Sequence, residues 1–257
     1  MTTLQSHYDS IARVFVGYDT RERAAYDVCV ASLRRHASIP LLIEPLDERR
    51  LRYAGLYWRD WRHQDGQFID GRDRLPFATE FSFSRFLVPA LCQWQGAPAL
   101  FCDCDFLWRA DVAELFALAD PRYAVQLVKH DHRPVETVKM EGQAQSRYYR
   151  KNWSSCVLWH PAHPAQLMLT PRQVSTARGQ WLHAFGWLED HEIGALPEPW
   201  NWLEGTSDPA IDPKAVHLTR GGPWQPDWQH VAYAEEWREA QASSTHRTFP
   251  SAPSSPI

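Results

Sequence analysis

Apolar and polar positions along the chain switch between two periods. Ile11 to Tyr18 reads Ile-Ala-Arg-Val-Phe-Val-Gly-Tyr, a short β-rich run closed by Asp19-Thr20. The period then becomes helical over residues 21–36, with Ala24, Ala25, Val28 and Ala31 on one face and Leu33 beside them. Together these predict a first β-α unit. Residues 41–44 predict a second strand and 47–53 a short helix, whereas 58–79 run through Trp, Arg, Asp and Gly without a clear period, as a long functional loop or insertion does. Residues 82–94 predict a helix carrying Arg85, Phe86, Leu87, Ala90 and Leu91, residues 98–102 a strand, and 112–118 a further helix. Strands are predicted at 123–128, 153–159 and 215–219.

Strands that alternate with helices argue for an α/β fold with a mostly parallel central sheet, whose ligands bind beyond the carboxyl ends of the strands. Asp19 and Asp103 both fall at such ends. A chain of 257 residues suits one domain of this kind, and no repeat or linker divides it. The predicted domain spans residues 1–241. From 242 to 257 the chain turns to Ser, Thr and Pro, which cannot bury enough apolar area to order themselves, so a disordered tail is expected.

Charge and cysteine usage narrow the function classes. The formal net charge of -4 leaves no global basic field for nucleic acid or an anionic membrane, although local basic clusters and peripheral membrane association stay open. No apolar stretch approaches the roughly 20 residues of a membrane-spanning helix, and the first residues, Met-Thr-Thr-Leu-Gln-Ser-His, lack the charged-then-apolar pattern of a secretion signal. A cytoplasmic location is expected. Five cysteines, mostly in apolar surroundings, predict buried free thiols. Thirteen tryptophans exceed what a core needs, and indole faces also suit sugar rings or a nucleobase; Trp58, Trp61, Trp181, Trp187, Trp200 and Trp202 are candidates for an acceptor site or for the core.

The chemistry concentrates at Phe101 to Trp108, Phe-Cys-Asp-Cys-Asp-Phe-Leu-Trp. Residues i and i+2 of an extended strand share a face, so Asp103 and Asp105 can aim at one point, while Cys102 and Cys104 go to the opposite face. Two carboxylates this close among apolar neighbours repel each other and lose hydration, a cost that a metal, a proton or a cationic partner offsets. Arg85, on a buried-looking helix, is expected to pair with Asp103 or with a phosphate. Asp19 is read equally as a ligand for a base or ribose and as the N-cap of the following helix. The cluster His130-Asp131-His132 and the lysines Lys129 and Lys139 are read as polar loop residues.

Four landmarks, in order, resemble glycosyltransferase family 8. Phe83-Ser-Arg-Phe-Leu-Val-Pro-Ala-Leu-Cys, followed by the strand that ends in Asp103-Cys104-Asp105 and then by Asp111 and Leu115, is similar to the core of that family. Lys151-Asn-Trp-Ser-Ser-Cys-Val-Leu-Trp stands where the family has a Phe-Asn-(Ser/Ala)-Gly strand, without the Gly. Glu189-Asp-His-Glu-Ile-Gly-Ala-Leu-Pro-Glu-Pro-Trp-Asn-Trp resembles an Asp-Gln segment leading to Leu-Pro and Trp-Asn pairs, with His191 in place of Gln. His217-Leu-Thr-Arg-Gly-Gly-Pro-Trp resembles the family's His-x-x-Gly-x-x-Lys-Pro-Trp motif, one residue shorter and without the Lys. The resemblance spans residues 13–224 and points to a divergent bacterial-type branch.

What the resemblance implies is a GT-A fold and transfer of a hexose from a nucleotide sugar, a UDP-hexose by preference, with a divalent metal on the diphosphate. Asp103, Asp105 and His217 would hold that metal, Mn²⁺ in preference to Mg²⁺ because one ligand is imidazole. Tyr18, Asp19 and Arg21 would meet the base and ribose. Arg85, Cys104, Arg220, Gly221, Gly222 and Trp224 would line the diphosphate, with Arg220 or Lys214 standing in for the missing Lys. Asn152, Ser154 and Ser155 would contact sugar hydroxyls, and Asp190 is the candidate for stabilising the oxocarbenium-like centre. Retention of anomeric configuration is implied, with a glycan, lipid-linked or small-molecule acceptor. Two other classes remain: a sugar-nucleotide nucleotidyltransferase, disfavoured by the Gly-poor Gly17-Tyr-Asp-Thr-Arg-Glu-Arg, and a non-catalytic carbohydrate-binding protein using the tryptophans.

Overall fold

The computed structural model describes residues 11–130, 150 and 152–245. A six-stranded sheet organises the molecule. Its strands are β1 (Ala12–Tyr18), β2 (Leu41–Asp47), β6 (Ala99–Cys102), β8 (Val125–Leu127), β9 (Cys156–Trp159) and β10 (Ile193–Ala195), in the order β10-β8-β9-β6-β1-β2. Five strands run one way and β9 runs against them, because β1 pairs in parallel with β2 and β6, β10 with β8, and β9 is antiparallel to both neighbours. The predicted mostly parallel α/β sheet is the one observed. Strands β6 and β9 are apolar throughout and buried at every position, as strands covered on both faces must be.

A second, smaller sheet sets the site. It joins β11 (Trp202–Leu203), β12 (Ala215–His217) and β7 (Phe106–Trp108), with β12 antiparallel to β7 and Phe106 opposite His217. Helix α1 (Arg23–His36) packs on β1, on β7 and on the C-terminal helix Ala234–Thr245, and Val28, Leu107, Trp202, Val216, Leu218 and Trp237 form the satellite core between them. That C-terminal helix continues past residue 241 to Thr245; residues 246–257 of the expected tail lie outside the described residues.

Three local expectations change. The segment 58–79 is no structureless loop: it contains β3 (Trp61–Gln64), β4 (Gln67–Asp70) and β5 (Pro76–Phe77), an antiparallel sheet fastened by Trp61, Phe68 and Phe77, with Phe68 stacked on Phe77 at 5.3 Å. The helix predicted over 82–94 is a 3₁₀ turn, Ser84–Leu87, followed by one α turn, Val88–Leu91. Pro89 removes a donor and Gln93 and Trp94 take positive φ, which stops the helix there. The strand predicted at 153–159 begins as a 3₁₀ turn, Trp153–Ser155, because Asn152 enters it in the left-handed conformation at φ 64°.

Candidate active site

Strand β6 ends at Cys102, so Asp103, Cys104 and Asp105 form the turn that carries the chain from the large sheet into β7 of the small one. The two carboxylates converge through this turn rather than through strand alternation. Strand β12 brings His217 to the same place, since its neighbour Leu218 donates its N–H to the Asp105 carbonyl at 3.0 Å. Ligand atoms of Asp103, Asp105 and His217 all lie within 4.8 Å of one another. His217 Nε2 stands 3.3 Å from Asp105 Oδ1, and its ring stacks on Phe106 at 4.5 Å.

Around this trio the charges are balanced one by one. Arg85, itself buried, meets Asp103 at 2.7 Å, donates to the Ser154 carbonyl at 3.0 Å, and lies over the rings of Phe81 and Phe101. The expected pairing of Arg85 with Asp103 is therefore present. Asp19, fully buried, accepts from the Arg21 backbone at 2.9 Å, from the Arg21 guanidinium at 3.0 and 2.7 Å, and from the Glu80 N–H at 3.0 Å. It is not the N-cap of α1: that position is Glu22. Glu22, buried beside Cys104, has its carboxyl pushed up to about 8 by burial first and then by Asp105 and Asp19.

The thiols face inward. Cys104 Sγ donates to Glu22 at 3.4 Å and Cys102 Sγ lies 3.8 Å from Cys29, so both thiols are packed in the interior. Burial pushes both Cys102 and Cys104 well above the ordinary thiol range, and all five cysteines are free and buried. The side chain of Cys104 is thus packed in the core and is not on the face where Asp103 and Asp105 converge; only its backbone belongs to the turn.

The third and fourth landmarks support the trio from behind. Asp103 N–H donates to the Ser155 carbonyl at 2.8 Å, and Ser154 Oγ lies 2.9 Å from Nδ1 of His183. Burial, with Arg85 and Arg59 adding, holds that imidazole well below its usual range, so it is neutral. Ser155 Oγ donates to the Asn152 carbonyl at 2.7 Å and accepts from Asn201 Nδ2 at 2.9 Å, and Asn201 Oδ1 contacts His217 Nδ1 at 3.0 Å. Both serine hydroxyls are engaged within the protein. Asn201 is a site residue that the sequence reading left unassigned; its signal was a buried amide in the Trp-Asn pair, fully inaccessible here.

Tyr18 sits edge-on to Tyr26 at 5.1 Å, and Arg21 lies over the Phe68 ring at 4.3 Å, which ties the end of β1 to the insertion. Asp190 is exposed and its carboxylate is ion-paired with Arg150. Arg220 pairs with Glu204 at 2.9 Å, and Lys214 pairs with Glu114. Gly221, at φ 147°, and Gly222 are pressed against indoles: a Cβ on Gly222 would stand 1.8 Å from the Trp224 ring. Trp200 and Trp202 belong to the core, whereas Trp58 is exposed and Trp61, Trp181 and Trp187 are half-buried. Asp111 caps the helix Val112–Phe116. Asp131, His132 and Lys139 lie outside the described residues.

No protein-family model matches the chain. Among solved structures, the bifunctional glycosyltransferase WbbM superposes with a TM-score of 0.61 at 14% identity, over 91% of this chain and 50% of that one. Glycosyltransferase GlyE of Streptococcus pneumoniae TIGR4 gives 0.56 at 15% identity, over 90% of this chain and 60% of GlyE. The galactosyltransferase LgtC gives 0.51 at 13% identity, over 93% and 98%. The chain thus spans about half the length of WbbM and nearly all of LgtC, and at these identities the likeness establishes the GT-A fold. In sequence, Protein CDI of Arabidopsis thaliana is 49% identical over 230 residues, 88% of this chain and 84% of CDI. At 49% identity over 88% of its length, the chain belongs to the family of Protein CDI.

Proposed function

We propose that the protein is a metal-dependent glycosyltransferase, moving a hexose from a nucleotide sugar, UDP-hexose in the first instance, to a hydroxyl of a glycan, lipid-linked or small-molecule acceptor. The observation that carries this reading is the convergence of Asp103, Asp105 and His217, from two sheets, at the carboxyl end of β6 in a GT-A fold. In open α/β sheets that end is where ligands bind.

The donor set fits a divalent cation. Two hard carboxylate oxygens and one imidazole nitrogen suit Mn²⁺ better than Mg²⁺, which prefers an all-oxygen, largely hydrated shell, and the thiols of Cys102 and Cys104 are engaged with Cys29 and Glu22. Asp103, Asp105 and His217 would hold such an ion, which would supply Lewis-acid stabilisation of the charge on a departing nucleoside diphosphate. The rest is the work of this chain's side chains. Arg85 holds the Asp103 carboxylate in direction and offsets its charge, so the trio is arranged before ligand arrives. Arg220, fixed by Glu204 next to Gly221 and Gly222, is the cation nearest in sequence to the position of the family's missing Lys. Tyr18 and the turn at Asp19 and Arg21 close the nucleoside side, with Asp19 acting through Arg21. In this reading Asp190, exposed and ion-paired with Arg150, stabilises positive charge on the sugar, and Asn152, at the left-handed entry to the Trp153–Ser155 turn, contacts a sugar hydroxyl. Retention of anomeric configuration is the stereochemical course, through either a covalent intermediate or same-face attack.

No helix among the described residues is long and apolar enough to cross a membrane, and a cytoplasmic site of action is part of the proposal. The test is a donor screen that follows UDP, GDP or CMP release with Mn²⁺, repeated for Asp103→Ala and Asp105→Ala. Loss of release in both variants with folding preserved supports the assignment; turnover equal to the parent in either rejects it. Chelator-sensitive UDP binding separates a transferase from a lectin-like protein, whose glycan binding would ignore the chelator.

A further inference from the structure

Histidine presents either ring nitrogen, and which one is free to act as a ligand depends on where its single proton sits when the ring is neutral. At His217 that choice is contested. Nε2 lies 3.3 Å from the carboxylate of Asp105, which favours a proton on Nε2, while Nδ1 lies 3.0 Å from Asn201.

The contest is decided three residues away. The Asn152 backbone carbonyl can only accept, and Ser155 spends its one hydroxyl proton on it at 2.7 Å. Ser155 Oγ can then only accept from Asn201, which turns the Asn201 NH₂ toward Ser155 at 2.9 Å and the Asn201 carbonyl oxygen toward His217. An amide oxygen facing Nδ1 at 3.0 Å requires the proton there. Ser155 is 3% exposed, Asn201 0% and His217 2%, so the Ser155–Asn201 and Asn201–His217 bonds are buried and shielded from water. Asn152 itself adopts the left-handed conformation, φ 64°, that directs its carbonyl into the Trp153–Ser155 turn.

We propose that Asn201 and Ser155 are positioning residues that fix His217 as the Nδ1–H tautomer and so present Nε2, unprotonated, to the point shared by Asp103 and Asp105. The inference deepens the proposed metal site and rests on it for its purpose, though the tautomer is defined in the protein alone. The proton order runs in one direction, from an acceptor-only carbonyl through a hydroxyl and an amide to the imidazole. Partners of this kind behind a ligating histidine govern ring orientation and basicity.

The experiment is ¹⁵N NMR of the metal-free protein labelled at histidine, at a pH where the ring is neutral, with the His217 signals assigned by their loss in His217→Gln. The parent is expected to show a protonated Nδ1 and an unprotonated Nε2. Asn201→Leu, which deletes the acceptor, is expected to move the proton to Nε2 beside Asp105, and Ser155→Ala, which frees the amide to turn over, to give a mixture of the two forms. An Nε2–H tautomer in the parent overturns the proposal, and so does an unchanged tautomer in a folded Asn201→Leu. The parent spectrum carries this test even where a variant does not fold. Mn²⁺ titration calorimetry supplies the second readout: affinity falls about 10- to 100-fold in Asn201→Leu. A parent that has the Nδ1–H tautomer and binds no Mn²⁺ rejects the metal reading of the trio while sustaining the tautomer assignment.

Discussion

Replacing Arg85 by Met tests whether the acidic turn is held by a buried ion pair. Met keeps most of the apolar stem between Phe81 and Phe101 and removes the guanidinium that sits 2.7 Å from Asp103 and 3.0 Å from the Ser154 carbonyl. Side chains of Arg85 and Asp103 are 7% and 16% exposed, so solvent screens the pair weakly. Removing one partner of such a pair costs about 3–5 kcal/mol, because a charge is left in the interior. Asp103→Asn should cost less than Arg85→Met, since it also relieves repulsion between Asp103 and Asp105. The double variant leaves two neutral groups, and its loss should fall short of the sum of the single losses by about 2–3 kcal/mol. Urea unfolding followed by tryptophan fluorescence, in chelator so that no metal intervenes, measures all three. Losses that add to within about 0.5 kcal/mol would refute the reasoning, because independent sites behave that way.

Two further outcomes follow from buried charges elsewhere. His160 is buried, bonded to Gln126 Oε1 at 2.9 Å, and held down to about 4 by burial and by His163, with Asp120 opposing. A folded value below the unfolded one means stability is complete above about pH 6.5 and declines as pH falls toward 4. His160→Gln should flatten the acid limb of the urea midpoint against pH, and a limb identical to the parent's would contradict the assignment. Arg59 makes a two-point pair with Asp70 at 2.7 and 2.8 Å and donates to the Ala177 carbonyl at 2.6 Å, joining the insertion to the segment at 174–177. Arg59→Met should cost about 3–5 kcal/mol and open the 61–77 hairpin to limited proteolysis, whereas cleavage at the parent's rate would show that the hairpin is anchored by other means.

Much of the site was legible because its chemistry sits on strong local patterns. An apolar run that stops at Asp-Cys-Asp marks the end of β6, and the His-Leu-Thr-Arg-Gly-Gly-Pro-Trp stretch marks β12 and the turn after it. What failed to show were contacts between segments. Strands β7 and β11 have three and two residues, too short for a period to register, so the small sheet that brings His217 over Asp105 had no signature. The insertion hid its alternation because its strands are only two to four residues long and its buried positions mix the aromatic Phe68 with the ion-paired Asp70. A helix was expected over 82–94 because apolar spacing outweighed Pro89, and the backbone rule prevailed. Asn201 was hidden for a different reason: a buried amide acquires meaning only from its partners, Ser155 and His217, at 46 and 16 residues' distance.

The central claim is that Asp103, Asp105 and His217 share one divalent ion beside a nucleotide diphosphate. Crystals of the protein grown with Mn²⁺ and UDP, measured for the anomalous signal of manganese, address it directly. A single strong anomalous peak within coordination distance of all three side chains and of the diphosphate oxygens is the predicted result; a nucleotide bound with manganese absent from the trio, or manganese held by other residues, contradicts the account.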